Sequence, residues 1–190
     1  MLGYAICGSF CTFEKSFLAL RELVLRGEEV QPIMSETAFT LDTRFQSAKE
    51  YRERVEELCN RKIIHTIVDA EPLGPRTPLE ALIIAPCTGN TLSKIAHGIT
   101  DTAVTMAAKA HLRQDRPTVI ALATNDAMSQ NLESLSRLLT RRSVYFVPMV
   151  QDDPAAKPHS LVADMKEILS SLDSAREGKQ LKPLFREPRA

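Results

Sequence analysis

The chain has 190 residues, enough for one domain with a sizeable core and short for two. Its 24 Lys and Arg balance 24 Asp and Glu, which argues against a nucleic-acid or acidic-membrane partner, because both require an excess of positive charge. No apolar run approaches the length of a bilayer span, and no basic stretch precedes the first apolar run, so neither a membrane segment nor a secretory signal is expected.

In chain order, the first apolar run, residues 3–7, reads as a buried strand closed by a turn at Gly8-Ser9. A helix is expected over 14–26, with Phe17, Leu18, Leu20, Leu23 and Val24 on one face and Gly27 as its stop. A second strand is expected at 29–34, a charged amphipathic helix at 46–60, and a third strand in the β-branched run 63–68. Three prolines and a glycine make 71–78 irregular. Residues 81–85 are continuously apolar, as central parallel strands are. Helices follow at 91–96 and 102–112, a strand at 118–123, a helix at 128–139, a last strand at 144–147 and a last helix at 161–172. A single domain over residues 1–176 and a polar tail over 177–190, loose or reaching to a partner, complete the chain. Strand and helix alternate, which implies an α/β fold with a doubly wound, mostly parallel sheet of five or six strands and helices on both faces.

Cys7, Cys11, Cys59 and Cys87 form no C-x-x-C pair and read as reduced thiols of a cytosolic protein. His65, His97, His111 and His159 lack metal-site spacing, so no metal is expected. In an open parallel sheet, ligands bind beyond the carboxyl ends of the strands. Four loops stand at such ends: residues 8–12, 35–37, 86–91 and 124–128. All carry small hydroxyl and amide side chains, and three lead into helix starts, a combination that suits a phosphate. The same residue types are ordinary caps and turn formers, so it is their concurrence at four strand ends that points to a nucleotide pocket. There is no G-x-G-x-x-G and no P-loop, which favours a mononucleotide such as FMN over NAD or ATP. Cys11 and Cys87 read as small residues filling tight turns, with thiol reactivity the alternative. Asp126 reads as a cap of the following helix, with a general base the alternative. The stretch Gln151-Asp152-Asp153 is either a pocket wall or an interface.

Residues 85–101 (APCTGNTLSKIAHGITD) resemble the P-A-S-A-N-T segment and downstream A-N-G-x-x-D of the flavin-containing cysteine decarboxylases. Gly8-Ser9 resembles that superfamily's opening G-S, and Asn125 with Met128 its P-x-M-N-x-x-M. Leu122 and Thr124 replace the Pro and Met of that motif, Ser129 stands where Trp is usual, and no His lies between Ser9 and Asn60. A closer resemblance, to the B subunits of dipicolinate synthases, runs through residues 43–45, 71–75, 85–94, 123–127, 145–148, 151–154, 157–163 and 178–181 in one order. The resemblance implies a Rossmann-like, flavodoxin-type three-layer α/β/α fold, a homo-oligomer, and FMN as cofactor. It further implies one component of an oxidoreductase in the cytoplasm of a sporulating bacterium, oxidising a dihydrodipicolinate-type intermediate. Its partner would be the synthase's dehydrogenase-like A subunit, which would hold NADP. Alternatives are a non-catalytic partner docked on that dehydrogenase-like chain and a cysteine decarboxylase.

The residues expected to bind the cofactor are Gly8, Ser9, Cys11, Thr12, Ser35, Pro86, Thr88, Gly89, Asn90, Thr91, Asn125 and Met128. Ser9, Thr12 and Ser35 would meet the phosphate or ribityl chain. Thr88, Gly89, Asn90 and Thr91 would add donors, and Asn125 and Met128 would flank the isoalloxazine.

Overall fold

The computed structural model describes residues 1–187. Its strands are β1 (Leu2–Ile6), β2 (Val30–Met34), β3 (Leu82–Cys87), β4 (Thr118–Thr124), β5 (Val144–Phe146), β6 (Met149–Val150) and β7 (Leu161–Ala163). Its helices are α1 (Phe13–Leu25), α2 (Glu36–Thr40), α3 (Ala48–Cys59), α4 (Ile67–Ala70), α5 (Gly89–Ala96), α6 (Ala103–Leu112), α7 (Leu132–Leu139) and α8 (Ile168–Arg176).

The parallel strands lie in the order β2-β1-β3-β4-β5, a doubly wound arrangement whose order reverses between β1 and β3. Side-chain alternation sends Tyr4 and Ile6 to one face of β1, against α1, α3 and α8. Ala5 and Cys7 face the other way, toward α5, α6 and α7. The molecule is therefore a three-layer α/β/α sandwich with two apolar cores, as expected from the strand–helix alternation.

The edge of β4 is divided between two partners. Thr118 to Ile120 pair in parallel with β5, and Ala123 and Thr124 pair antiparallel with β7. β7 then pairs antiparallel with β6, so residues 149–163 form a hairpin attached at the carboxyl end of β4. Seven strands result, against the five or six expected.

Several expectations are corrected. Residues 63–68 are not a strand: only Ile64 bridges, to Ile33, and Thr66 caps the short α4 by accepting from Asp69 N. Ile63 is buried, but Ile67 and Val68 are 39% and 80% exposed, so the second half of this β-branched run has no sheet face to bury. Residues 161–172 are not one helix. Leu161–Ala163 fill the part of the β4 edge beyond the end of β5, a 3-10 turn follows at Met165–Glu167, and α8 starts only at Ile168. The strand at 144–147 is followed by two more. The helix expected from 128 begins at Leu132, because Met128 N is bonded to His159 O of the hairpin (3.0 Å). Residues 178–187 lie against the sheet: Gln180 makes hydrogen bonds with both the N–H and the C=O of Phe146, and Phe185 bridges Met149. The expected tail's residues 188–190 lie outside the described residues.

A buried hydroxyl chain fixes α1 on the sheet. Tyr4 Oη donates to Ser16 O (2.9 Å) and lies 3.0 Å from Ser16 Oγ, which donates to Ala85 O (2.6 Å). Burial pushes the Tyr4 hydroxyl well above its ordinary pKa, so it stays protonated as a donor. Leu20 and Leu23, both fully buried, add about 1.5–3 kcal/mol each to the docking of this helix. Ser16→Ala leaves the Ala85 carbonyl unpaired in the core and is expected to lower the free energy of urea unfolding by about 1–3 kcal/mol. An unchanged urea midpoint would show that the chain of hydroxyls carries no stability.

Candidate functional site

β1 ends in Ile6, and the chain turns through Gly8 and Ser9 into a 3-10 turn, Phe10–Thr12, which runs directly into α1. The turn is held by Thr12 N and Thr12 Oγ1, which both donate to Ser9 O at 3.0 and 2.8 Å. β3 ends in Cys87, and Thr88 caps α5 by accepting from Thr91 N at 3.3 Å. Gly89 and Asn90 begin this helix, so their backbone N–H groups have no acceptor within it. β4 ends at Thr124, and Ser35 after β2 caps α2 by accepting from Ala38 N.

The ends of β1, β3 and β4 surround a cleft of about 700 Å³. Of the expected residues, Gly8, Ser9, Cys11, Thr12, Thr88, Gly89, Asn90 and Asn125 line it. Ser35 and Thr91 line an adjoining cavity of about 330 Å³, with Gly8, Thr88 and Asn90 common to both. Pro86 and Met128 line neither. Pro86 is buried within β3, its carbonyl accepting from Cys7 N at 3.1 Å. Met128 is tied to the hairpin through its backbone N–H, which donates to His159 O.

Two glycines make the approach possible. A Cβ on Gly89 would lie 2.6 Å from Asn131 Nδ2, 2.7 Å from Thr124 Oγ1 and 2.9 Å from Asp126 Oδ1. A Cβ on Gly8 would lie 2.8 Å from Thr37 Cγ2. The start of α5 therefore touches the side chains of the loop after β4, and any residue larger than glycine would have to displace them.

Asp126 does not cap the following helix. The N-cap position of α7 is Asn131, and the Asp126 carboxylate accepts the Thr124 hydroxyl at the cleft wall. Lys15, Thr124, Asp152, Lys157 and Val162 also line the cleft. Lys15 was legible in principle, since it follows Thr12 by one helical turn and shares its face. Asp152 and Lys157 arrive on the hairpin, where the sequence pattern suggests only a strand end and a helix. Of the two readings of Gln151-Asp152-Asp153, Asp152 is a pocket wall.

Asp152 is tightly held. Its Oδ2 accepts from Lys157 Nζ and its Oδ1 from Ser160 Oγ, each at 2.6 Å. Partial burial opposes ionisation, but Lys157 and Ser160 together outweigh it and hold the carboxyl below its ordinary pKa. Burial pushes the Cys7 thiol up to about 11 and, with Cys7 nearby, raises Cys87 as well, so these two are protonated fillers beneath the cleft. Cys11 is exposed on the cleft wall. Among the described residues, no group of three or more His, Cys, Asp and Glu is placed to hold a metal, and no helix is long and apolar enough to cross a membrane.

An α/β/α sandwich with its cleft at the strand-order reversal defines a class, and residues 2–174 match the Flavoprotein family; the chain belongs to it. Within that family it is a homologue of the dipicolinate synthase B subunit. It is 41% identical to the Bacillus subtilis form of that protein, over 98% of this chain and 93% of the relative. The crystal structure of the Bacillus halodurans form superposes with a TM-score of 0.91 at 38% identity, covering 99% of this chain and 96% of that one. The FMN-dependent cysteine decarboxylase SpaF shares the fold at a TM-score of 0.65 and 22% identity, covering 92% and 95%.

The Asp152–Lys157 pair has a pH signature. A carboxylate whose folded pKa lies below its unfolded value contributes stability that is fully present above the unfolded value and is lost as pH falls through the folded one. Lys157→Met removes the partner, and the Asp152 carboxyl is expected to titrate at higher pH, read by carbon-detected NMR. A titration that does not move would mean that Ser160 alone holds the anion.

Proposed function

We propose that the cleft holds FMN and that the chain is the flavin-binding component of a two-component oxidoreductase, converting a dihydrodipicolinate-type intermediate to dipicolinate (pyridine-2,6-dicarboxylate). The observation that carries this reading is the convergence of three polar strand-end loops on one cleft, the fourth lining an adjoining cavity, with the N–H groups of Gly89 and Asn90, unpaired within their helix, at the start of α5. The donor set fits a phosphate-bearing, uncharged-ring cofactor: hydroxyls, amides and backbone N–H groups, with Lys15 and Lys157 nearby.

In this assignment Ser9, Thr12 and the start of α5 hold the phosphate and ribityl chain, with Ser35 and Thr91 extending the polar wall. Asn125 and Thr124 face the ring, Asp126 orients Thr124, and Cys11 borders the opening. Pro86 and Met128 act from behind, Pro86 by fixing β3 against β1 and Met128 by anchoring the hairpin. FMN, when bound, supplies a two-electron acceptor. The chain's own part is to bind, orient and shield it. The relative's name, as the second of a synthase's components, supports a dehydrogenase-like companion chain in the working enzyme. We assign the NADP site to that companion, the setting to the cytoplasm of a sporulating cell, and the working form of this chain to a homo-oligomer.

Flavin-free protein titrated with FMN is expected to quench flavin fluorescence. At about 100 times the Kd, FMN should raise unfolding stability by about 2.7 kcal/mol. Gly89→Ala pushes a methyl against the side-chain ends of Thr124, Asp126 and Asn131 and is expected to weaken FMN about tenfold, because those side chains must turn from their places at the cleft wall. The absence of both fluorescence quenching and a thermal shift in the unmodified protein would sink the flavin assignment.

A further inference from the structure

Apart from the cleft and its adjoining cavity, a recess of about 140 Å³ is formed by the ends of α5 and α6 together with Arg141, just past the end of α7. It shares no lining residue with either of those spaces. Ile95 of α5 and Leu112 of α6, both buried, give it apolar walls. Gly98, at φ 73, turns the chain out of α5, and Ile99 N donates back to Lys94 O at 2.8 Å. This turn brings Thr100 to the recess.

The charged lining is Lys109, Arg113 and Arg141, with no carboxylate. None of the three side chains makes an ion pair or a hydrogen bond among the described residues. Of the carboxylates close in sequence, Asp101 is held by Lys94 at 2.8 Å, and Asp115 does not line the recess. Lys109 and Arg113 stand one helical turn apart, at i and i+4, where like charges repel. Elsewhere the chain fills that spacing with opposite charges, in Lys49–Glu53 and Glu133–Arg137. A helix C-terminus favours a cation, which accounts for each of these residues taken singly. It does not account for three of them around one recess with apolar walls, where their mutual repulsion is unrelieved until an anion joins them.

The volume narrows the choice of anion. Pockets for whole organic ligands run to about 300–1,000 Å³, so this recess takes a headgroup. One arginine fork satisfies a single carboxylate. Three converging cations suit a group of higher charge, and a phosphate carries about −1.5 to −2 at neutral pH on three terminal oxygens. Thr100, whose hydroxyl has no partner among the described residues, adds an uncharged donor.

We infer that this recess is a phosphate site, for the free ion or for the terminus of a small phosphate monoester, held by Lys109, Arg113 and Arg141. It stands apart from the cleft and does not depend on what the cleft binds.

The probes are inorganic phosphate and glycerol 3-phosphate, titrated by calorimetry into the full chain at an ionic strength held constant with sodium chloride, with and without FMN. At least one is expected to bind with a Kd of about 1 mM or tighter, and the tighter of the two identifies the source. Arg113→Gln and Arg141→Gln, both at exposed positions, are each expected to weaken it at least about tenfold. Arg141 lies outside the helices, so its effect is separable from any loosening of α6. Affinity unchanged in both variants, or phosphate displaced by FMN, would place the anion in the cleft and overturn the inference. No saturable binding of either probe against the chloride background would overturn it as well.

Discussion

The hydrogen-bonding edge of β4 governs the site. A parallel partner, β5, uses only its first half, since β5 ends at Phe146 and Pro148 follows shortly after. The backbone groups at Ala123 and Thr124 would otherwise face the interior unpaired, which costs more than a typical hydrogen bond contributes. β7 satisfies them from the opposite direction, and this brings the hairpin over the carboxyl ends of the strands. Asp152, Lys157 and Val162 reach the cleft for that reason and for no reason of local propensity.

The two ends of the sheet divide the electrostatic work. At the amino ends, Arg176 of α8 donates to Glu28 before β2 (2.8 Å) and to Glu80 before β3 (2.7 Å), and Arg26 pairs with Asp173. The Arg176 contact is the main cause that draws Glu28 below its ordinary pKa. Single exposed pairs of this kind contribute little, but a partly buried arginine shared by two carboxylates fixes where α8 crosses the strands. At the carboxyl ends the pattern is reversed. Asp152 is consumed within the hairpin, while Lys15 and the first N–H groups of α5 stay open. The cleft lining sets Lys15 and Lys157 against Asp126 and Asp152, so a chain of zero net charge offers an anion hydroxyls and backbone N–H groups rather than an excess of positive charge.

The fold was largely legible because most of its strands are flanked by helices whose apolar periodicity is unambiguous, as in α1 and α3. The loops at the ends of β1, β3 and β4 were legible for a related reason, since small polar residues ending an apolar run mark the carboxyl end of a parallel strand. The run Ile63–Ile64 followed by Ile67–Val68 misleads because β-branching is a preference, and here a Thr66 cap and exposure override it. Residues 161–163 mislead because a three-residue strand has no periodicity to read, and its neighbour α8 supplies a helical one. Lys15 and Asp152 are far apart in sequence. Only the antiparallel return of β7 brings them to one junction, and no local pattern encodes that return.

Helix α1 joins these levels. Its inner face is fixed by the Tyr4–Ser16–Ala85 chain of hydroxyls, which ties it to β1 and β3, the two strands that flank the reversal of order. Its amino end continues the turn carrying Ser9 and Thr12, and its outer stripe carries Lys15 and Leu18. One rigid element thus fixes where the polar cleft's first loop stands relative to the strand ends. A change that lifts α1 from the sheet must move Ser9, Thr12 and Lys15 together, whereas a change on the hairpin moves Asp152, Lys157 and Val162 and leaves the first loop in place.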